Sequence, residues 1–248
     1  MTDLGLIAGT GALGLFEPGE EFALATDWGE PSAPLVKVSL GRSEAWLLAR
    51  HGRPHRIPPH RVNYRANIAA LAKSGVRRVI AINAVGGIDP ALVPGALVLP
   101  DQLIDYTWGR GHSFSDSAQD PLTHIEFADP FAGPARRALQ SAAAVAGVAL
   151  QDGGCYGATQ GPRLETAAEI QRLARDGCTL VGMTAMPEAA LACEAGLDYA
   201  SLCVVANPAA GVSDEAISID EIHRVLAEAM TEVKRLLSVI QHEQLVER

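Results

Sequence analysis

Short aliphatic and β-branched runs alternate along this chain with segments of helical periodicity. That alternation limits the fold more than any other feature. The runs "LGLIA", "LVKVSL", "AWLLA", "RVIAIN", "ALVLP", "CTLVGM" and "YASLCVVA" read as buried strands. Between and after them, "YRANIAALAKSG", "PARRALQSAAAVAG", "ETAAEIQRLARDG" and "PEAALACEAG" read as helices. A last helix is expected from Ile219 toward residue 246, with Ile222, Leu226, Ala229, Val233, Leu236, Leu237 and Ile240 on one face. Gly75, Gly147, Gly177 and Gly196 stand where helix C-caps favour glycine. Residues 107–130 are rich in Gly, Ser, Asp and Pro and read as a long functional loop. Without repeats or linkers, the pattern predicts one α/β domain over residues 1–248, a mixed central β-sheet flanked by helices.

Composition fits that expectation and narrows the partners. With 248 residues and 48% hydrophobic content, the chain can bury a core that needs no disulfide. Cys155, Cys178, Cys193 and Cys203 show neither CxxC nor metal-ligand spacing and sit in apolar segments, so free thiols in a reducing compartment are expected. A net charge of −9 argues against nucleic acid and against an anionic membrane surface. No run has the length of a membrane span, and Asp3 and several glycines interrupt what would be a leader. A cytoplasmic protein is the expectation.

"GTGALG" (Gly9, Gly11, Gly14) follows a strand and matches GxGxxG. A dinucleotide fingerprint also needs a helix directly after the glycines and a later acidic strand end. Here "EPGEEFALATDWGEPSAP" follows, which lacks helical periodicity. What remains is a glycine turn whose amides, with the Thr10 hydroxyl, suit a phosphate.

Four other strand ends carry polar residues. "ARHGRPHRIPPHRVNYRAN" concentrates Arg50, His51, Arg53, His55, Arg56, His60 and Arg61 in an acidic protein. Arginine forks suit oxyanions, although a charge run is often only a solvated face. "INAVGGI" is expected to leave a strand at Asn83 and Ala84 into a Gly-Gly turn. In "TQGPRLETAAEI", Glu165 stands before a helix, where a carboxylate commonly serves only the helix dipole. "VGMTAMPEAALA" puts Met183 and Thr184 between a strand and a helix, a place suited to an anion. Asn207-Pro208 after the last strand reads first as turn chemistry.

Taken in order, "GTG", "RHGRPHRIPPHRVNYRANI", "NAVGG", "GPRLETAAEI", "GMTAMPEAALACEAG" and "EAISIDEI" resemble the trimeric purine nucleoside phosphorylase and methylthioadenosine phosphorylase family. The resemblance spans nearly the whole chain and implies phosphorolysis of a nucleoside, with inorganic phosphate as co-substrate, no metal and no other cofactor. It places Thr10, Arg50, His51, Asn83, Ala84 and Thr184 around phosphate, with Arg53 and His55 as further candidates. Asn83 departs from the hydroxyl residue often found there. The Met183 amide would meet the ribose hydroxyls. A homotrimer is implied, with the loop of His124 reaching a neighbouring subunit's site.

The base and the 5′ substituent are read separately. Where aminopurine enzymes of the methylthioadenosine branch carry Asp-x-Asp, this chain has Asn207-Pro208-Ala209. An Asn amide can donate to purine O6 and accept from N7–H, and a Glu165 carboxylate accepts from N1–H. Both suit a 6-oxopurine. Leu164 stands where the family usually stacks Phe. Ile219, Ile222 and His124 match the methylthio branch's 5′ pocket, although the isoleucines also suit core packing at a helix start. The combination implies phosphorolysis of S-methyl-5′-thioinosine to hypoxanthine and 5-methylthioribose-1-phosphate, with Asn207 as the catalytic group. A methylthioadenosine or inosine/guanosine phosphorylase, a water-using nucleosidase and a silent nucleoside binder are the alternatives.

Overall fold

In the computed structural model, residues 2–17, 19–41, 43–214 and 217–240 are described. In chain order the strands are β1 (Leu4–Ala8), β2 (Glu21–Phe22), β3 (Leu35–Leu40), β4 (Ser43–Ala49), β5 (Arg78–Gly87), β6 (Leu97–Leu99), β7 (Gln102–Asp105), β8 (Gln151–Asp152), β9 (Cys155–Ala158), β10 (Leu180–Gly182) and β11 (Asp198–Pro208). The helices are α1 (Tyr64–Lys73), α2 (Pro134–Ala146), α3 (Ala167–Arg175), α4 (Ala185–Glu194) and α5 (Ile219–Ser238). Each expected strand and helix is present. The end of the last helix expected beyond residue 240 lies outside the described residues. β2, β7, β8 and β9 have two to four residues, too few for a period to show.

β5 organises the sheet. It runs parallel to β1 and to β11, and its Gly86-Gly87 end pairs antiparallel with β10. One path is β2-β3-β4-β1-β5-β10-β9-β7, while β11 also pairs with β6, and β6 with β8. Three neighbours are possible because β5 is ten residues long and its two halves meet different partners. The expectation that the chain leaves the strand at Asn83-Ala84 is thus corrected: the ladder continues through Gly87, where a Cβ would lie 2.7 Å from Leu92 O. Glycine permits that approach.

Alternation along the strands sends side chains into two apolar layers. Leu4, Leu6, Ile80, Ile82, Leu202 and Val204 pack against α2 and α5 through Leu139, Leu226, Val233 and Leu236. Ile7, Val79, Ala81 and Tyr199 pack against α1 and α4 through Tyr64, Ile68, Leu71, Ala189 and Leu191. Three helices start on side-chain caps: Asn63 Oδ1 accepts from Ala66 N at 3.1 Å before α1, Thr166 and Glu169 form a reciprocal capping box at α3, and Ser218 caps α5. No helix among the described residues is long and apolar enough to cross a membrane.

The carboxyl ends of β1, β4, β5, β10 and β11 point to one region. Open sheets gather ligands at such ends, because the strands fix the backbone while the following loops are free to vary. Between Val205 and Asn207 the β11–β5 register shifts by one residue. Such a bulge re-aims the side chains that follow it, and Asn207 is the first.

Candidate active site

The strand ends enclose a cavity of about 330 Å³, of small-molecule size. Thr10, Arg50, His51, Ala84, Leu164, Glu165, Met183, Thr184, Asn207 and Ile222 line it, bringing together residues expected from seven separate sequence segments. His55 and Arg56 reach it as well.

At its anion-suited end, Arg50 is 1% exposed and its partner Glu188 is 0% exposed. Arg50 Nε and Nη2 donate to the two Glu188 carboxylate oxygens at 2.6 and 2.7 Å, and Nη1 donates to Ile82 O at 3.3 Å. Tyr199 Oη donates to the same carboxylate at 2.8 Å. Burial works against the charge on Arg50, but Glu188 outweighs it and the pKa rises. Three of five guanidinium N–H groups are thus occupied, which leaves two for a ligand. Gly9 lies against this group, and a Cβ there would fall 2.8 Å from Arg50 Nη1. After Gly11 comes only a 3₁₀ turn, Ala12–Leu15, as the rejection of a dinucleotide fingerprint requires.

His51 is held neutral. Burial first, then the neighbouring Arg50, lowers its pKa to about 4 despite the bond to Ile57 O. Its Nδ1 lies 2.7 Å from that carbonyl, which can only accept, so Nδ1 carries the proton and Nε2 is an acceptor. The ring stacks on His55 at 4.5 Å. Thr184 Oγ1 donates to Asn83 Oδ1 at 3.0 Å, and Asn83 Nδ2 donates to Ser201 Oγ at 2.7 Å. Asn83 is therefore behind the cavity wall: it does not line the site, and it orients Thr184 instead. Its side chain belongs to the pleat of β5 that faces Ser201, whereas Ala84 faces the cavity. Thr184 does not cap α4 with its side chain, and Met186, extended at φ −116 and ψ 135, interrupts the first turn.

At the opposite end, Asn207 Nδ2 donates to Pro208 O at 2.6 Å. A carbonyl accepts only, so this bond fixes which side of the amide is nitrogen and leaves Oδ1 as an acceptor. Glu165 faces the same cavity, and Thr159 Oγ1 donates to its Oε1 at 2.5 Å. Glu169, not Glu165, serves the cap of α3, so the helix-dipole role does not account for Glu165. Leu164 is 42% exposed at the rim.

Three expected residues lie outside the cavity of this chain. Ile219 is 57% exposed and does not line the cavity. The extended N-cap Ser218 turns the chain so that Ile217 and Ile222 face the site while Ile219, the first helical residue, faces out. His124 is exposed on the long loop and does not reach the cavity of its own chain. Arg53 is also exposed, lying 3.9 Å from Glu21. Sequence reasoning missed Glu188, Tyr199, Ile217 and Arg110. A buried carboxylate in the apolar "PEAALA" helix was the available signal for Glu188; Arg110 gave none, in a loop of polar residues.

Residues 3–241 match the family model described as the Phosphorylase superfamily. The chain belongs to the Phosphorylase superfamily. Among its members, a probable S-methyl-5′-thioinosine phosphorylase of Xylella fastidiosa is 49% identical over 97% of this chain and 98% of the relative. The 6-oxopurine nucleoside phosphorylase of Pyrococcus furiosus is 39% identical over 93% and 90%. Among solved structures, methylthioadenosine phosphorylase from Schistosoma mansoni in complex with adenine superposes with a TM-score of 0.89 at 32% identity, covering 96% of this chain and 90% of that one. The superfamily fold, a mixed sheet between helical layers, is therefore that of this chain.

Proposed function

We propose that this superfamily member is a pentosyltransferase, a single domain over residues 1–248 that cleaves S-methyl-5′-thioinosine with inorganic phosphate. Hypoxanthine and 5-methylthioribose-1-phosphate are the products. The fixed amide of Asn207 carries the reading. With one Nδ2 hydrogen committed to Pro208 O, the other can donate to purine O6 while Oδ1 accepts from N7–H. Glu165 Oε2 accepts from N1–H, its other oxygen being held by Thr159. Adenine would offer a lone pair to Glu165 at N1 and a donor to Asn207 Nδ2, two mismatches in a site built around hydrogen bonds. The names of the 49%- and 39%-identical relatives support the same base class.

The reaction follows from the layout. Phosphate oxygens accept from Thr10, from the two remaining Arg50 N–H groups and, once its hydroxyl turns away from Asn83 Oδ1, from Thr184, and a P–OH donates to His51 Nε2. One oxygen then attacks C1′ as the C1′–N9 bond breaks and its electron pair passes to the purine. N7 takes up a proton from solvent, balanced by the one that the phosphate OH releases as its ester forms, and Asn207 Oδ1 accepts from the new N7–H, stabilising charge that exists only as the bond breaks. The rest is positioning, which is worth several kcal/mol when reactants are held in line. Ile217 and Ile222 offer the 5′-methylthio group apolar surface, and the Met183 amide meets the ribose. In a homotrimer, His124 would complete the neighbouring subunit's 5′ pocket. No cofactor beyond the phosphate co-substrate enters this scheme, and a cytoplasmic location fits it.

The test is product analysis with and without phosphate. Expected is stoichiometric 5-methylthioribose-1-phosphate that scales with phosphate; release of the free sugar at the same rate without phosphate would make the protein a nucleosidase.

A further inference from the structure

Arg110 lies in the long loop between β7 and α2, does not line the cavity and is only 8% exposed. Among the described residues it has no carboxylate partner. Its guanidinium is spent on carbonyls instead. Nη1 donates to Met183 O at 2.9 Å and Met186 O at 2.6 Å. Nη2 donates to Thr159 O at 3.2 Å and Gln160 O at 2.8 Å. Nε donates to Gln160 Oε1 at 3.1 Å, and the cation lies over the Tyr64 ring at 5.5 Å.

Those carbonyls belong to two segments that meet the ligand at different ends. The Met183–Met186 turn carries Thr184, which serves the anion end. Thr159 holds Glu165, which serves the base end. One planar fork therefore clamps the phosphate turn to the base-reading loop, beside the direct link from Thr159 N and Oγ1 to Gly182 O at 2.8 and 3.3 Å. Arg110 is also the buried cation near the site that no carboxylate cancels, since Glu188 cancels Arg50. Burying an unpaired charge is costly, and carbonyl dipoles from four residues offset it only in this arrangement.

We infer that Arg110 is a positioning residue, which sets the distance and angle between bound phosphate and bound purine so that attack at C1′ is in line. The inference rests on the phosphorolysis reading above. A small misplacement of reacting groups can cost about 10²-fold in rate, and a lysine cannot reproduce a planar fork.

The test compares the wild type with Arg110→Lys and Arg110→Met at saturating phosphate and nucleoside, with circular dichroism on each. Arg110→Lys keeps charge and stem, so it serves if Arg110→Met does not fold. Expected for Arg110→Lys is a native spectrum and a kcat about 30- to 100-fold lower, with each KM within about threefold. Added guanidinium at non-denaturing concentration should restore part of the rate of Arg110→Met. A folded Arg110→Lys enzyme with wild-type kcat overturns the role. So does a loss of activity that follows the folded fraction. A wild type without phosphate-dependent turnover would instead overturn the function on which the role rests, and the role with it.

Discussion

The two ends of the cavity are built differently. At the anion end the polar groups are buried and committed to one another: Arg50 to Glu188 and Ile82, His51 to Ile57, Thr184 to Asn83, Asn83 to Ser201. At the opposite end, Asn207 and Glu165 each keep one polar atom bonded within the fold and one open to the cavity, and Leu164 is a rim residue. Buried polar groups must be satisfied within the fold, so the anion end is fixed as the core packs. The other end can vary without cost to the core. On the proposed reading, that contrast separates phosphate binding, which is built into the core, from recognition of the base and the 5′ substituent, which is not.

The largest effect should come from breaking the buried end. Glu188→Ala leaves the Arg50 guanidinium buried without its partner, which typically costs about 3–5 kcal/mol. Urea unfolding should show a loss of that size together with a higher phosphate KM; a loss below about 1 kcal/mol would mean that water or Tyr199 compensates and that the anion end is less rigid than described.

A titration probes the same end. His51 is neutral in the folded protein down to about pH 4, while an unfolded histidine takes its proton near 6.5. As pH falls below that value the unfolded chain binds a proton that the native state refuses, so stability should fall between about pH 6.5 and 4 and be unaffected by this group above it. The span corresponds to about 3 kcal/mol at most. His51→Asn should flatten that part of the pH–stability curve; an unchanged slope would place the titration elsewhere.

At the open end effects should be smaller and selective. Ile222→Ser removes apolar surface facing the 5′ substituent and should raise the KM for methylthioinosine by about 5- to 10-fold, with that for inosine little changed. Ile219→Ser should alter neither by more than about twofold. Equal effects of the two substitutions would sink the distinction drawn between their faces.

Most of the fold was legible because its strands are buried runs of Val, Ile, Leu and Ala, and because alternation in β1 and β5 feeds two helical layers. The short strands β7 and β9 were not, since Gln102–Asp105 and Cys155–Ala158 gain their conformation from neighbours rather than from their own pattern. In the site, strand-end polar residues such as Arg50, Thr184 and Asn207 were readable, as their types stand out against apolar runs. Ile219 was placed by resemblance, which does not show which face of a helix start meets the cavity. The bulge at Ala206 was invisible, for register is a property of the pair of strands. Arg110 and Glu188 act through other residues; Glu188 stands out in its apolar helix, whereas only packing reveals Arg110.

The proposal that Asn207 reads the base depends on that bulge and on one hydrogen bond. The most direct measurement is kcat/KM in saturating phosphate for methylthioinosine and for methylthioadenosine, in the wild type and in Asn207→Asp. A wild-type preference for methylthioinosine of about 10³-fold or more is expected, falling by at least about 10²-fold in Asn207→Asp, whose carboxylate would face Pro208 O and lose the donor to O6. Equal or faster turnover of methylthioadenosine by the wild type, or a preference unchanged by the substitution, would contradict the account.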